Sequence, residues 1–152
     1  MPPPRSPRPD CAGARDDSFS SLLGVPPLLP DLPAGHTFDP VEFSVDAATS
    51  RAYRDAVGDG LAVYAAAGGL VPPLAVVALG LGALLRQAVL PPGSLHASES
   101  LQCHRPVPEG ATVECRASVA QRSRRAGWIV SVLDSQLLVD GQPALSARAT
   151  SC

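Results

Sequence analysis

The sequence predicts an α+β fold in which one antiparallel sheet wraps around one long central helix. Three observations carry this expectation. The stretch Pro72 to Val89, PPLAVVALGLGALLRQAV, has helical length and is apolar on nearly every face. No charged residue occurs from Gly60 to Leu85. A helix without a polar face must be surrounded. The residues after Val89 read as strands, and a curved antiparallel sheet is the usual wrapper in a soluble protein.

The elements follow in order. Val41 to Val45 sets Val, Phe and Val against Glu42 and Ser44, the period of a short strand. Asp46 is an N-cap for a helix that carries Tyr53, Ala56 and Val57 and stops at Gly58. Asp59 to Ala67 leaves room for one or two helical turns before Gly68-Gly69. Pro72 and Pro73 suit the first turn of the central helix, where a missing N–H costs nothing. Gly80 and Gly82 would each cost roughly 1 kcal/mol in an exposed helix, so here they are read as points of close backbone approach. Arg86 and Gln87 mark the end that reaches water, and Pro91-Pro92-Gly93 turns the chain.

Ser94 to His104 then alternates strictly, with His96 and His104 in the polar set. By strand rise those two histidines stand roughly 27 Å apart on one face. Thr112 to Ser123 places Val113, Cys115, Ala117 and Val119 on one side. Trp128 to Val139 is apolar on much of both faces and is expected at the centre of the sheet. Asp140-Gly141 is a hairpin signal, and Pro143 to Thr150 closes the sheet. This order of elements is that of the hotdog arrangement.

Composition bounds the function. The chain has 152 residues and a net charge of −2, with no Lys and no Asn. That excludes Lys-based Schiff bases and P-loops. With 4% aromatic residues the chain is a poor base-stacking surface, so no nucleic-acid partner is expected. Cys11, Cys103, Cys115 and Cys152 form no CxxC pair, so no metal is expected and the thiols read as those of a reducing cytoplasm. The N-terminus lacks the apolar core of a signal peptide. Gly68-Gly69 and Pro72-Pro73 break the uncharged run into pieces too short for a membrane span. Residues 1–38 read as a disordered Pro-rich tail whose patch Leu22 to Leu32 docks on the domain, and residues 39–152 as the domain itself.

From about Phe38 to Ala149 the sequence resembles the MaoC-like hydratase/dehydratase branch of the hotdog superfamily, in its N-terminal or non-catalytic half. The resemblance rests on Phe43-Ser44-Val45, on Tyr53 to Asp59 (YRDAVGD), on Val71-Pro72-Pro73, on Leu95-His96, and on His104 to Gly110 (HRPVPEG). It implies hydration of trans-2-enoyl thioesters, or dehydration of (3R)-hydroxyacyl thioesters, by an Asp and a His five positions apart, with no cofactor. The Asp falls on Asp59 and the His on Tyr64. The Asn-Pro between them is replaced by Leu61-Ala62, and the His-Gly that opens the helix by Pro72-Pro73.

The catalytic candidates are therefore Asp59 and Tyr64, and the candidates for substrate binding are Pro72, Pro73, Leu74, Gly80 and His96. A lone carboxylate cannot readily perform both proton transfers of a hydration. A tyrosine, titrating near 10, is a poor base at neutral pH. The resemblance thus implies a non-catalytic subunit of a heteromeric dehydratase, a lyase of fatty acid metabolism. It would bind acyl-CoA or acyl-ACP thioesters as a homodimer, or as a heterodimer with a catalytic MaoC-like chain. Two alternatives stay open: an active hydratase with an altered site using Asp59 with Tyr64 or His96, and an acyl-CoA-binding regulatory hotdog without catalysis. The thioesterase branch needs a carboxylate beside the central helix; Pro73 to Val89 has none, leaving only Asp59 or Glu99 to be recruited.

Overall fold

The computed structural model describes residues 25–64 and 69–152. Its architecture is α+β. Five strands form one antiparallel sheet in the order β1-β3-β4-β5-β2, with β1 at Val41–Ser44, β2 at His96–Cys103, β3 at Thr112–Arg125, β4 at Trp128–Val139 and β5 at Gln142–Ser151. Helix α1 spans Ala47–Val57 and the central helix α2 spans Pro73–Leu84. The strand that is apolar on both faces, β4, lies in the middle, as its sequence requires. No helix among the described residues is long and apolar enough to cross a membrane.

Local chemistry fixes the boundaries. The Asp46 carboxylate accepts from Thr49 N at 2.7 Å, capping α1 and holding its own carboxyl below the usual range. Gly58 takes the left-handed conformation, with φ 70°, that ends α1. Asp59 N then reaches back to Arg54 O at 2.9 Å, the closing bond of a Schellman motif. Asp140 and Gly141, with φ 51° and 71°, make the mirror-image turn that matches strand twist between β4 and β5.

Helix α2 is shorter than expected. Beyond Leu84 the chain tightens, with Gln87 N bonding Leu84 O at 2.8 Å. The Gln87 amide then clasps the backbone of Asp39 with two bonds of 2.9 Å. Val89 is drawn into a parallel bridge with Leu28. The residues expected to extend the helix are thus taken by contacts with the N-terminal segment. Residues 25–38, expected as the end of a disordered tail, are part of the domain, while residues 1–24 lie outside the described residues. Leu29, Leu32 and Phe38 are buried. Backbone bonds between Gly35, His36 or Phe38 and Val119 or Ala117 prolong the pairing of β1 along β3.

The core lies between α2 and the concave face of the sheet. Ala75, Val76, Val77, Gly80, Ala83 and Leu84 of the helix are buried there, against Val113, Cys115, Leu137 and Leu145. Close approach occurs at Gly80. A Cβ there would sit 3.0 Å from Leu137 Cδ2 and 3.4 Å from Cys115 Sγ. Gly82 meets nothing within 4 Å, so the pair of glycines divides into one contact and one exposed residue. The helix is also not wrapped all round: Leu74, Ala78 and Gly82, four residues apart, form an exposed stripe. One sheet covers one side of a helix.

Gly82→Ala is expected to raise unfolding stability by about 0.5–1 kcal/mol, since it removes backbone freedom without a clash. Gly80→Val is expected to lower it by about 1–3 kcal/mol through overpacking. Urea denaturation of the two variants checks this; the reverse order would place the helix–sheet contact elsewhere.

Candidate functional site

The loop after α1 and the loop after β2 meet over the start of α2. Val71 N bonds Val107 O at 2.8 Å, and Glu109 N bonds Gly69 O at 2.9 Å. Leu70 and Pro108 form an antiparallel bridge. The HRPVPEG loop is therefore stitched to the entry of the central helix. A Cβ at Gly69 would meet only the Glu109 carboxylate, the far end of a side chain that can swing aside.

Beneath this junction lies a pocket of about 320 Å³, lined mainly by apolar side chains together with Tyr64, Pro73, Cys103, His104 and Arg105. Arg105 is held by the β4–β5 hairpin, donating from Nε to Pro143 O and from Nη2 to Val139 O, each at 3.2 Å. His104 Nε2 is 2.8 Å from Ser146 Oγ, which anchors the ring. No carboxylate lines the pocket among the described residues.

The structure separates the residues named from the sequence. Tyr64 and Pro73 share the pocket. Pro72 is buried beside it, and Leu74 turns outward on the exposed stripe, 52% accessible. Asp59 does not line the pocket. Its Oδ1 accepts from Leu61 N at 3.0 Å and holds the turn into a short 3-10 helix at Ala62–Tyr64. Gly80 lies two turns further along α2.

His96 is elsewhere again. A β-bulge pairs His96 with Ser151 and Ser98 with Thr150, leaving Ala97 without a partner. This places His96 on the same face as Glu99, which pairs with Ala149. His104, bonded to Ser146, is on the opposite face, so the expectation that the two histidines share a face is corrected by the bulge. His96 Nε2 lies 3.3 Å from Glu99 Oε2. Glu99 Oε1 is buried and has no hydrogen-bond partner.

Glu99 lines a cavity of about 10 Å³ between α2 and the sheet, with Gly80, Leu84, Cys115, Ser135 and Leu137. That is room for about one water. Burial pushes the Glu99 carboxyl up, and His96 partly opposes it. Burial also pushes the Cys115 thiol up to about 11, so it is an inert packing group. Alternation alone could not reveal the His96–Glu99 pair, because a bulge has no fixed sequence sign. Among the described residues no three His, Cys, Asp or Glu side chains gather as a metal site.

Comparison with solved structures now bears on this geometry. The chain is similar to the (R)-hydratase from A. caviae involved in PHA biosynthesis, with TM-score 0.65 and 20% identity over 80% of this chain and 96% of that one. It is similar to the MaoC-like dehydratase from Rhodospirillum rubrum, with TM-score 0.60 and 19% identity, covering 82% and 94%. It is also similar to the HadBC (3R-hydroxyacyl-ACP dehydratase) complex from Mycobacterium tuberculosis, with TM-score 0.64 and 17% identity, covering 76% and 95%. No family model and no curated protein matches the chain. The fold is the hotdog fold of the MaoC-like dehydratases and (R)-hydratases, as the sequence resemblance implies.

Because Glu99 holds its proton more tightly in the folded chain than in the unfolded one, the folded chain carries more bound protons through the carboxylate range. Its contribution to stability is therefore greatest at low pH and is lost as pH rises. The melting temperature of the native chain relative to Glu99→Gln is expected to fall as pH rises above the ordinary glutamate range of about 4. A constant difference would mean that the carboxyl is not desolvated.

Proposed function

We propose that this chain is the acyl-thioester-binding, non-catalytic partner in a hotdog dehydratase or hydratase pair. The observation that carries the reading is the pocket at the entry of α2. Tyr64 stands there in the position that the resemblance gives to the catalytic His, and no carboxylate lines the pocket among the described residues. Hydration needs one group to take a proton from water and another to deliver one to carbon. Asp59, the remaining acid, uses its carboxylate to hold a turn.

Two surfaces support a partner. Helix α2 exposes the apolar stripe Leu74, Ala78 and Gly82. Strand β2 is an edge of eight residues, twice the length of β1 at the other edge, with backbone groups free to pair. A second hotdog chain laid along β2 would extend the sheet and cover the stripe. In this reading the thioester lies against Tyr64 and Pro73, under Arg105, and the cytoplasm is the proposed setting. The neighbours named as complexes include a heteromeric dehydratase.

A second reading is favoured by one observation, the His96–Glu99 pair. An imidazole and a desolvated carboxyl beside the central helix could supply both proton transfers of an active hydratase with an altered site.

The purified chain is expected to leave crotonyl-CoA unchanged, followed through the enoyl absorbance, while octanoyl-CoA at about a hundred times Kd raises its melting temperature by roughly 5 °C or more. Turnover by the chain alone would overturn the non-catalytic reading, and its loss in Glu99→Gln would establish the second. Absence of any stabilisation would remove thioester binding.

A further inference from the structure

The chain carries a net charge of −2, yet the end of the sheet far from the pocket concentrates positive charge. There β3 and β4 form a tight hairpin whose residues 121–128 are all exposed. Ala126 and Gly127, with φ 47° and 86°, make the two-residue turn. Arg122 pairs with Ser131, Arg124 with Ile129 and Arg125 with Trp128. Successive strand residues alternate between faces. Arg125 therefore stands with Trp128 on one face of the hairpin, and Arg122 and Arg124 stand on the other. Arg122 Nε donates to Pro30 O. Among the described residues none of the three arginines has an ion-pair partner.

Apolar side chains stand beside these cations. Trp128 is the only tryptophan of the chain and is 51% accessible. It forms one wall of a groove of about 320 Å³ whose other walls include Leu28, Pro91 and Pro92, with Asp31 as its acidic member. Leu28, Val89 and Leu95 are exposed as well. Val89 is bridged to Leu28, and Leu95 exchanges two backbone bonds with Cys152, itself part of the groove wall. Four large apolar side chains are thus gathered at one end of the sheet, rimmed by guanidinium groups. An apolar patch with a polar rim marks a contact surface.

We propose that this end of the sheet docks on an anionic lipid bilayer, with the tip of the hairpin entering the headgroup layer. Three features select a lipid surface. An indole with apolar neighbours settles at the boundary between headgroups and acyl chains. A guanidinium takes a phosphate through two parallel hydrogen bonds, and each basic residue near a negatively charged leaflet strengthens binding about fivefold. The third feature is that the cations occupy both faces of the hairpin. A protein packed on the Trp128 groove would reach one face, whereas a headgroup layer entered end-on surrounds both. The contact is with the surface of the bilayer, since no helix among the described residues is long and apolar enough to cross it. The groove lies by Ser94 and Cys152, at the start of β2, and the pocket includes Cys103, at its end. The two are about 27 Å apart along the strand, so bilayer docking is independent of the thioester reading above.

The test uses the full chain, with Trp128 as reporter. Vesicles of phosphatidylglycerol and phosphatidylcholine in equal parts are expected to carry the chain down on sedimentation and to shift the Trp128 emission to the blue. Brominated acyl chains in the same vesicles are expected to quench that emission. Vesicles of phosphatidylcholine alone are expected to do none of these. Arg125→Glu and Arg124→Glu, one on each face of the hairpin, are each expected to weaken binding at least about tenfold. Arg51→Glu, on the exposed surface of α1, makes the same change in net charge and is expected to have no such effect. No binding, equal binding to both kinds of vesicle, a loss in Arg125→Glu without one in Arg124→Glu, or an equal loss in Arg51→Glu would each overturn the proposal. So would a Trp128 already shielded from iodide before lipid is added, because another part of this chain or a second copy would then cover the groove.

Discussion

The fold depends on the contact between α2 and the middle of the sheet at Gly80. The helix is apolar, it lies closest to β1 and β5, and at Gly80 it also touches Cys115 of β3 and Leu137 of β4. Glycine lets the helix backbone come down onto Leu137, Cys115 and Phe43. The sheet accepts this because Cys115, Leu133 and Leu137 alternate inward along strands long enough to curve round the helix. The distance between helix and sheet then sets the size of the cavity into which Glu99 projects.

The same contact leaves one side of the helix bare. Five strands cover the buried face, and the stripe from Leu74 to Gly82 faces away. The exposed stripe is apolar surface that the sheet of this chain does not cover. The proposed partner chain would rest on that stripe and extend the sheet at β2, which strand order leaves as an edge. The pocket at the entry of α2 is likewise a product of the two loops that lock over Pro73, with Gly69 and Glu109 in register.

Much of the fold was legible in the sequence because each signal is local. Asp46 caps and Gly58 ends α1 through bonds to residues within five positions. The alternation in β3 and the apolar run in β4 report which faces are buried, whatever the partner strands are. The site was legible only in part. Tyr64 and Pro73 do share a pocket, but Asp59, five residues before Tyr64, is turned to its own loop. Spacing along the chain fixes how far apart two groups can be, and leaves open where their side chains aim. The end of α2 was misread for a related reason: Val89 is as apolar in a bridge as in a helix, and Leu28, far away in the chain, decides between them.

By itself the sequence determined the kinds of element, their order and the central place of β4, since these depend on periodicity, capping and turn residues that act over a few positions. Tertiary structure alone decided the rest. It built residues 25–38 into the domain, because Leu29 and Phe38 find a core there. It put His96 beside Glu99 by one bulge, and set Trp128 against a groove whose other walls come from residues 28–31 and 91–94. Each of these depends on contacts between residues far apart in sequence, whose free energy exists only once the sheet has closed over the helix.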